Sequence, residues 1–86
     1  MSKLKIPKGW KKKGNWLVRK YKFKNFMEAV GFLNIAATIG EELMHHPDIL
    51  LENYNGLTIK TTTHKTKKLT QKDFELAERI EMIPRK

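Results

Sequence analysis

The stretch that leaves this chain the least freedom runs from Asn25 to Pro47. Apolar residues recur at Phe26, Val30, Leu33, Ala37, Gly40 and Met44, with Ile35, Ile39 and Leu43 widening the stripe. That spacing follows the 3.6-residue period and predicts one amphipathic helix of about five turns. Asn25 is a good N-cap. Pro47 disfavours helical geometry at the residue before it, so the helix is expected to hold His45 in its last turn and to release His46 in an extended conformation. The small residues Ala36, Ala37 and Gly40 would permit close approach to a sheet or a partner. An apolar stripe of this length has to be buried, and the remaining segments must supply the surface that buries it.

Those segments read as strands. Ile6-Pro7-Lys8-Gly9-Trp10 turns at Pro-Lys-Gly and delivers Trp10 as a packing anchor. Lys12-Lys13-Gly14-Asn15 is a second turn, and with Trp10 and Trp16-Leu17-Val18 on its flanks it predicts a β-hairpin. From Trp16 to Phe23, Leu17, Tyr21 and Phe23 share one parity, which Arg19 blurs. Beyond the helix, Asp48 to Glu52 reads as a short connection to Asn53-Tyr54-Asn55-Gly56, whose Asn-Gly pair is the strongest turn signal in the chain. Leu57 to His64 is β-branched and alternating, with Leu57 and Ile59 inward and His64 on the opposite parity at the strand end. Leu69-Thr70-Gln71-Lys72-Asp73-Phe74 is a helix entry: Thr70 as N-cap, Asp73 at N3 as a short capping box, Leu69 stapled to Phe74. The order is β-β-α-β-β-α. It implies an α+β fold, a four-stranded antiparallel sheet with helices packed on one face.

Composition limits what this fold can be used for. Eighty-six residues make one domain, 1–86, with 1–9 as a leading segment. So small a core leaves apolar surface uncovered, which favours oligomerisation. The chain has no cysteine, so neither a disulfide framework nor a thiolate metal site is available. No apolar run approaches a membrane span and no secretory h-region follows the first lysines, so a cytoplasmic protein without membrane contact is expected. The net charge of +9 is uneven: residues 1–24 hold ten Lys or Arg and no acid. That surface could attract phosphates, nucleic acid or an anionic substrate. A solvated lysine face is the preferred reading, because no base-reading motif accompanies it.

Chemistry centres on the three histidines, His45, His46 and His64. Carbonyls at a helix C-terminus favour imidazolium while two adjacent cations oppose each other, so His45 and His46 are expected to share protonation near neutral pH and to supply a base and an acid. His64 could add a third proton-handling group from the facing strand. The alternative is a surface cap with an isolated strand-end histidine in solvent. A three-histidine metal site is not expected, since neighbouring ligands point apart and no HExxH spacing exists. Walker, GxGxxG and GxSxG motifs are absent from the sequence.

Glu41-x3-His45-His46-Pro47, then six residues to Tyr54, nine to His64 and eight to Asp73, resembles the signature of the pterin-4a-carbinolamine dehydratases. The likeness extends from Gly9-Trp10 through Phe23-Lys24-Asn25-Phe26 to the final helix. It implies a homodimer or homotetramer that dehydrates 4a-hydroxytetrahydropterin to the quinonoid dihydropterin, with a pterin as its partner and no metal or cofactor. It implies His45, His46 and His64 as catalytic residues, and Glu41, Pro47, Thr62 and Thr63 at the substrate. Another pterin, such as a molybdopterin precursor, or a non-catalytic dimerisation module are the alternatives. Nucleic acid is not expected as a partner. Asp73 is read as a helix-capping residue, and Tyr54 as a core or hairpin residue. Animal members usually have an acidic residue and an aromatic one where this chain has Met44 and Ile49.

Overall fold

The structure, a computed structural model, describes residues 5–85. Two strands, β1 (Lys11–Lys13) and β2 (Trp16–Lys22), precede helix α1 (Phe26–Leu43). Strands β3 (Asp48–Glu52) and β4 (Gly56–Thr61) then lead to helix α2 (Gln71–Glu81). All neighbours in the sheet are antiparallel, in the order β1-β2-β4-β3, so α1 carries the chain from an inner strand to the far edge. The α+β reading and its order are borne out.

Strand alternation decides which sheet face is covered. Leu17, Tyr21, Leu57 and Ile59 point one way and form a core with Phe32, Ala36 and Ile39 of α1 and with Leu76, Ala77 and Ile80 of α2, so both helices lie on that face. Trp10 joins them at 5% exposure, as the anchor expected of it. Arg19, on the same parity, is tolerated because α2 brings Glu81 to it: Arg19 Nε donates to Glu81 Oε1 at 3.0 Å, and Trp10 Nε1 and the Tyr21 hydroxyl donate to the same oxygen. At the turn before Trp10, Gly9 takes φ +90 and the Trp10 N–H donates to Pro7 O at 3.0 Å. A Cβ there would sit 2.6 Å from the Arg19 guanidinium.

Four local expectations are corrected. Helix α1 ends at Leu43, two residues earlier than Pro47 suggests. Met44 adopts a left-handed conformation (φ 53), its N–H bonds Glu41 O and the His45 N–H bonds Gly40 O. This is a Schellman motif, and it places His45 beyond the helix. The buried stripe is Ala29, Phe32, Ala36, Ile39 and Gly40, whereas Phe26, Ile35 and Met44 are exposed. α1 is apolar over most of its circumference, so the period is satisfied by two stripes, and the one with the smaller residues packs closer to the sheet. Asp48–Glu52 is a full edge strand in register with β4. In the turn after it the left-handed residues are Asn53 and Tyr54, while Gly56 belongs to the ladder opposite Glu52. Tyr54 is exposed there, a hairpin residue.

Candidate active site

Gly40 shapes the site before any histidine does. The chain leaving α1 folds back over it, so that a Cβ at Gly40 would lie 3.0 Å from Pro47 Cδ and 3.3 Å from His45 O. The close approach foreseen from the small residues is thus made by the chain's own His45–Pro47 segment. The reversal sends the two adjacent imidazoles to different neighbours, His45 to Asp73 and His46 to Glu41. The terminal carbonyls of the helix are met by backbone N–H groups and by Lys72, whose Nζ donates to Leu43 O at 3.2 Å.

His45 turns inward. Its side chain is 12% exposed and its Nε2 lies 2.6 Å from Oδ1 of the fully buried Asp73. Asp73 is held from every side: Thr61 Oγ1 donates to Oδ1 at 2.6 Å, Thr63 Oγ1 to Oδ2 at 2.7 Å, and the Thr70 N–H to Oδ2 at 2.9 Å. Burial pushes the Asp73 pKa up, but the hydrogen bonds from Thr61, Thr63, His45 and the Thr70 backbone outweigh it and hold the carboxyl below its ordinary range. An ionised carboxylate only accepts, so His45 carries its proton on Nε2 and Nδ1 is left as the atom that can exchange one with a ligand.

His46 turns outward, with Nε2 2.7 Å from Glu41 Oε2 at the helix surface. Glu41, read from the resemblance as a residue at the substrate, here faces a histidine. His64 lies past the end of β4, exposed, with its ring against Trp16 (centroids 5.8 Å apart, planes at 77°). The structure thus gives each imidazole a different partner. It connects two of them through Asp73, because Thr63, which bonds that carboxylate, is the chain neighbour of His64.

Thr62 is buried and its hydroxyl donates to Asn15 O, tying the β1–β2 hairpin tip to the segment that bears His64. The Thr63 N–H and C=O are already bonded to Lys68 O and the Lys67 N–H. Ile49 packs against the core from β3. Met44 is exposed at the helix end. Among the described residues no group of three or more His, Asp or Glu is arranged to hold a metal ion.

Asp73 is the member of this cluster that the sequence presented only as a helix cap. Its capping bond to Thr70 is real, but the same carboxylate fixes His45. The available signal was a threonine alternation, Thr61 and Thr63, that puts two hydroxyls on the strand face turned toward α2.

A sequence profile of the family described as pterin 4 alpha carbinolamine dehydratase matches residues 1–83. A Thermomicrobium roseum protein provisionally named a pterin-4-alpha-carbinolamine dehydratase is 44% identical over 72 residues, 84% of this chain and 76% of its own length. One from Picosynechococcus sp. with the same provisional name is 48% identical over 68 residues, 79% of this chain and 73% of its own. The crystal structure of a transcriptional coactivator/pterin dehydratase from Brucella melitensis superposes with a TM-score of 0.80 at 33% identity, covering 86% of this chain and 80% of that one. A pterin dehydratase-like RuBisCO assembly factor of the alpha-carboxysome shares the fold, with a TM-score of 0.67 at 20% identity over 84% of this chain and 82% of that one.

Proposed function

Because this chain belongs to the pterin-4a-carbinolamine dehydratase family, we propose that it dehydrates a 4a-hydroxytetrahydropterin to the quinonoid dihydropterin. The observation that carries the reading is the buried His45–Asp73 pair, set beside His46–Glu41 and one residue from the His64 segment. The reaction breaks the C4a–O bond, removes the proton from N5, and leaves the N5–H electron pair as the new C4a=N5 bond, with water as the second product. It needs one group to protonate the departing hydroxyl and another to accept the N5 proton, and it needs no change of oxidation state.

His45 is the general acid in this reading, acting as the imidazolium: Asp73 holds the Nε2–H side of its ring, so the proton it delivers leaves from Nδ1, and positioning of that kind is worth more than the proton affinity alone. His46 and His64 are the general bases, one steadied by Glu41 and the other by Trp16. Pro47 holds the chain reversal behind the His pair. Of the residues that the resemblance puts at the substrate, Thr63 has its backbone groups engaged internally, so backbone contact with the pterin falls to Thr62 and His64. A homo-oligomer is part of the proposal, supported by the exposed apolar residues Phe26, Met27 and Ile35 on the outer side of α1.

The test is the breakdown rate of enzymatically generated 4a-hydroxytetrahydropterin. The wild-type protein is expected to exceed the spontaneous rate, and His46→Ala and His64→Ala to lose roughly 10²–10⁴-fold. A wild-type rate equal to the spontaneous one, or alanine variants as fast as wild type, refutes the assignment.

A further inference from the structure

The face of the sheet away from the helices has a use that the acid–base site leaves unexplained. Since Leu17, Tyr21, Leu57 and Ile59 lie under the helices, the alternate residues Trp16, Val18, Lys20 and Lys60 point to the open face, and the β1–β2 register adds Lys11 opposite Val18 and Lys13 opposite Trp16. Lys11, Lys13 and Lys20 line a hollow of about 320 Å³ together with Val18, Gly9 and Arg19. Val18 is only 8% exposed although both helices lie on the other side, and Lys11 stands opposite it in register; a lysine stem can cover an apolar residue while its ammonium group stays in water.

These cations are available to a ligand. The ion pairs among the described residues engage Arg19, Arg79, Arg85, His45 and His46, and none engages Lys11, Lys13, Lys20 or Lys60. The acids on the same face, Asp48 and Glu52, belong to the far edge strand β3; Asp48 stands in register with Lys60.

The row also leads to the proposed site. Lys60 Nζ lies 4.8 Å from the Trp16 ring centroid, and the Trp16 ring packs on His64. Lys13, at the hollow's edge, is the cross-strand partner of Trp16. His64 and the hollow are therefore separated by one indole ring and one strand spacing, about 10 Å in all. A heterocycle with a short side chain spans that distance.

We propose that the pterin taken by this site carries a phosphorylated side chain, whose phosphate lies on the Lys60–Lys13–Lys11 row while the ring lies against the histidines. The inference rests on the dehydratase reading and narrows its substrate class. A phosphate dianion suits a row of several lysines on one face, because lysine acts on it as a point charge from any direction. A nucleic acid strand fits less well, since Trp16, the one aromatic side chain on this face among the described residues, already packs against His64 and Lys60 and leaves no platform for successive bases.

The experiment is calorimetric binding of a reduced pterin bearing a trihydroxypropyl side chain and of its monophosphate to the full chain. The monophosphate is expected to bind about tenfold more tightly at low ionic strength, with the advantage shrinking as salt is added. In Lys13→Gln/Lys60→Gln the ratio of the two affinities should fall to near one, while Lys22→Gln/Lys24→Gln, with the same loss of charge at the other end of β2, should preserve it. Equal affinities in the wild type, a ratio unchanged in Lys13→Gln/Lys60→Gln, or tighter binding of a short oligothymidylate would overturn the proposal. If dehydration is accelerated and the ratio is one, only this inference fails. If dehydration is not accelerated, the failure lies with the dehydratase reading.

Discussion

The two histidine–carboxylate pairs have nearly the same length and quite different meaning. His45–Asp73 spans 2.6 Å with side chains 12% and 0% exposed; His46–Glu41 spans 2.7 Å with side chains 60% and 73% exposed. In water the second pair gains little, because solvent screens the charges and two mobile side chains must be held still. In the interior the first pair belongs to a network, and removing its carboxylate would strand the Thr61 hydroxyl and a backbone N–H as well as an imidazole, and leave the Thr63 hydroxyl with Thr70 alone. Distance alone therefore does not rank the pairs. Burial and the number of partners left unsatisfied do.

The comparison can be broken by substitution, starting where the effect is greatest. Asp73→Ala is expected to cost about 3–5 kcal/mol in urea unfolding, the usual scale for removing one member of a buried charged pair. Gly40→Ala acts on both pairs at once by pushing Pro47 away from α1, and about 1–3 kcal/mol of stability should be lost by overpacking. A dehydration rate that falls more than stability explains would show that the reversal positions the histidines. Glu41→Gln should cost under about 1 kcal/mol. Were its cost to match that of Asp73→Ala, the distinction between the pairs would collapse.

Acid sharpens the same contrast. The folded-state pKa of Asp73 is depressed, so the unfolded chain takes up that proton first as pH falls. The stability it contributes is complete above the unfolded value, about 3.9, and disappears as pH drops through the folded one. The melting-temperature gap between wild type and Asp73→Asn should thus be largest near neutrality and narrow below about pH 4. Wild type and Asp73→Asn should both remain acid-sensitive, because the Glu81 pKa is also depressed: burial raises it, but Arg19, Tyr21 and Arg85 outweigh that. A gap that stays constant down to pH 2 would mean that Asp73 is not held as an ionised acceptor.

How much of this was legible in the sequence depended on how far apart the interacting residues lie. The Asn25 cap, the Thr70–Asp73 entry and the hairpin turn at Gly14-Asn15 are set by neighbours within about four residues, and each stands where its local pattern put it. The same holds for the lysine-rich β1–β2 segment, whereas the Glu41–Pro47 stretch ends its helix at Leu43 and leaves both histidines beyond it. Local pattern failed where two answers satisfied it equally. α1 offered two apolar stripes, and the Ala29-Phe32-Ala36 side was chosen by how closely it fits the sheet. Asp48–Glu52 lacked a strand signature of its own and became one by pairing with β4.

The partners that define the site lay beyond any local rule. Arg19 looked like an error in a strand until Glu81 reached it from 62 residues away, and Asp73 looked like a cap until His45 met it from 28 residues away. The sequence determined the elements, their order and which residues could do proton chemistry, because periodicity and capping act through neighbours. Only the tertiary structure decided which carboxylate each histidine faces, because that choice is the sum of many weak packing contacts across the whole chain.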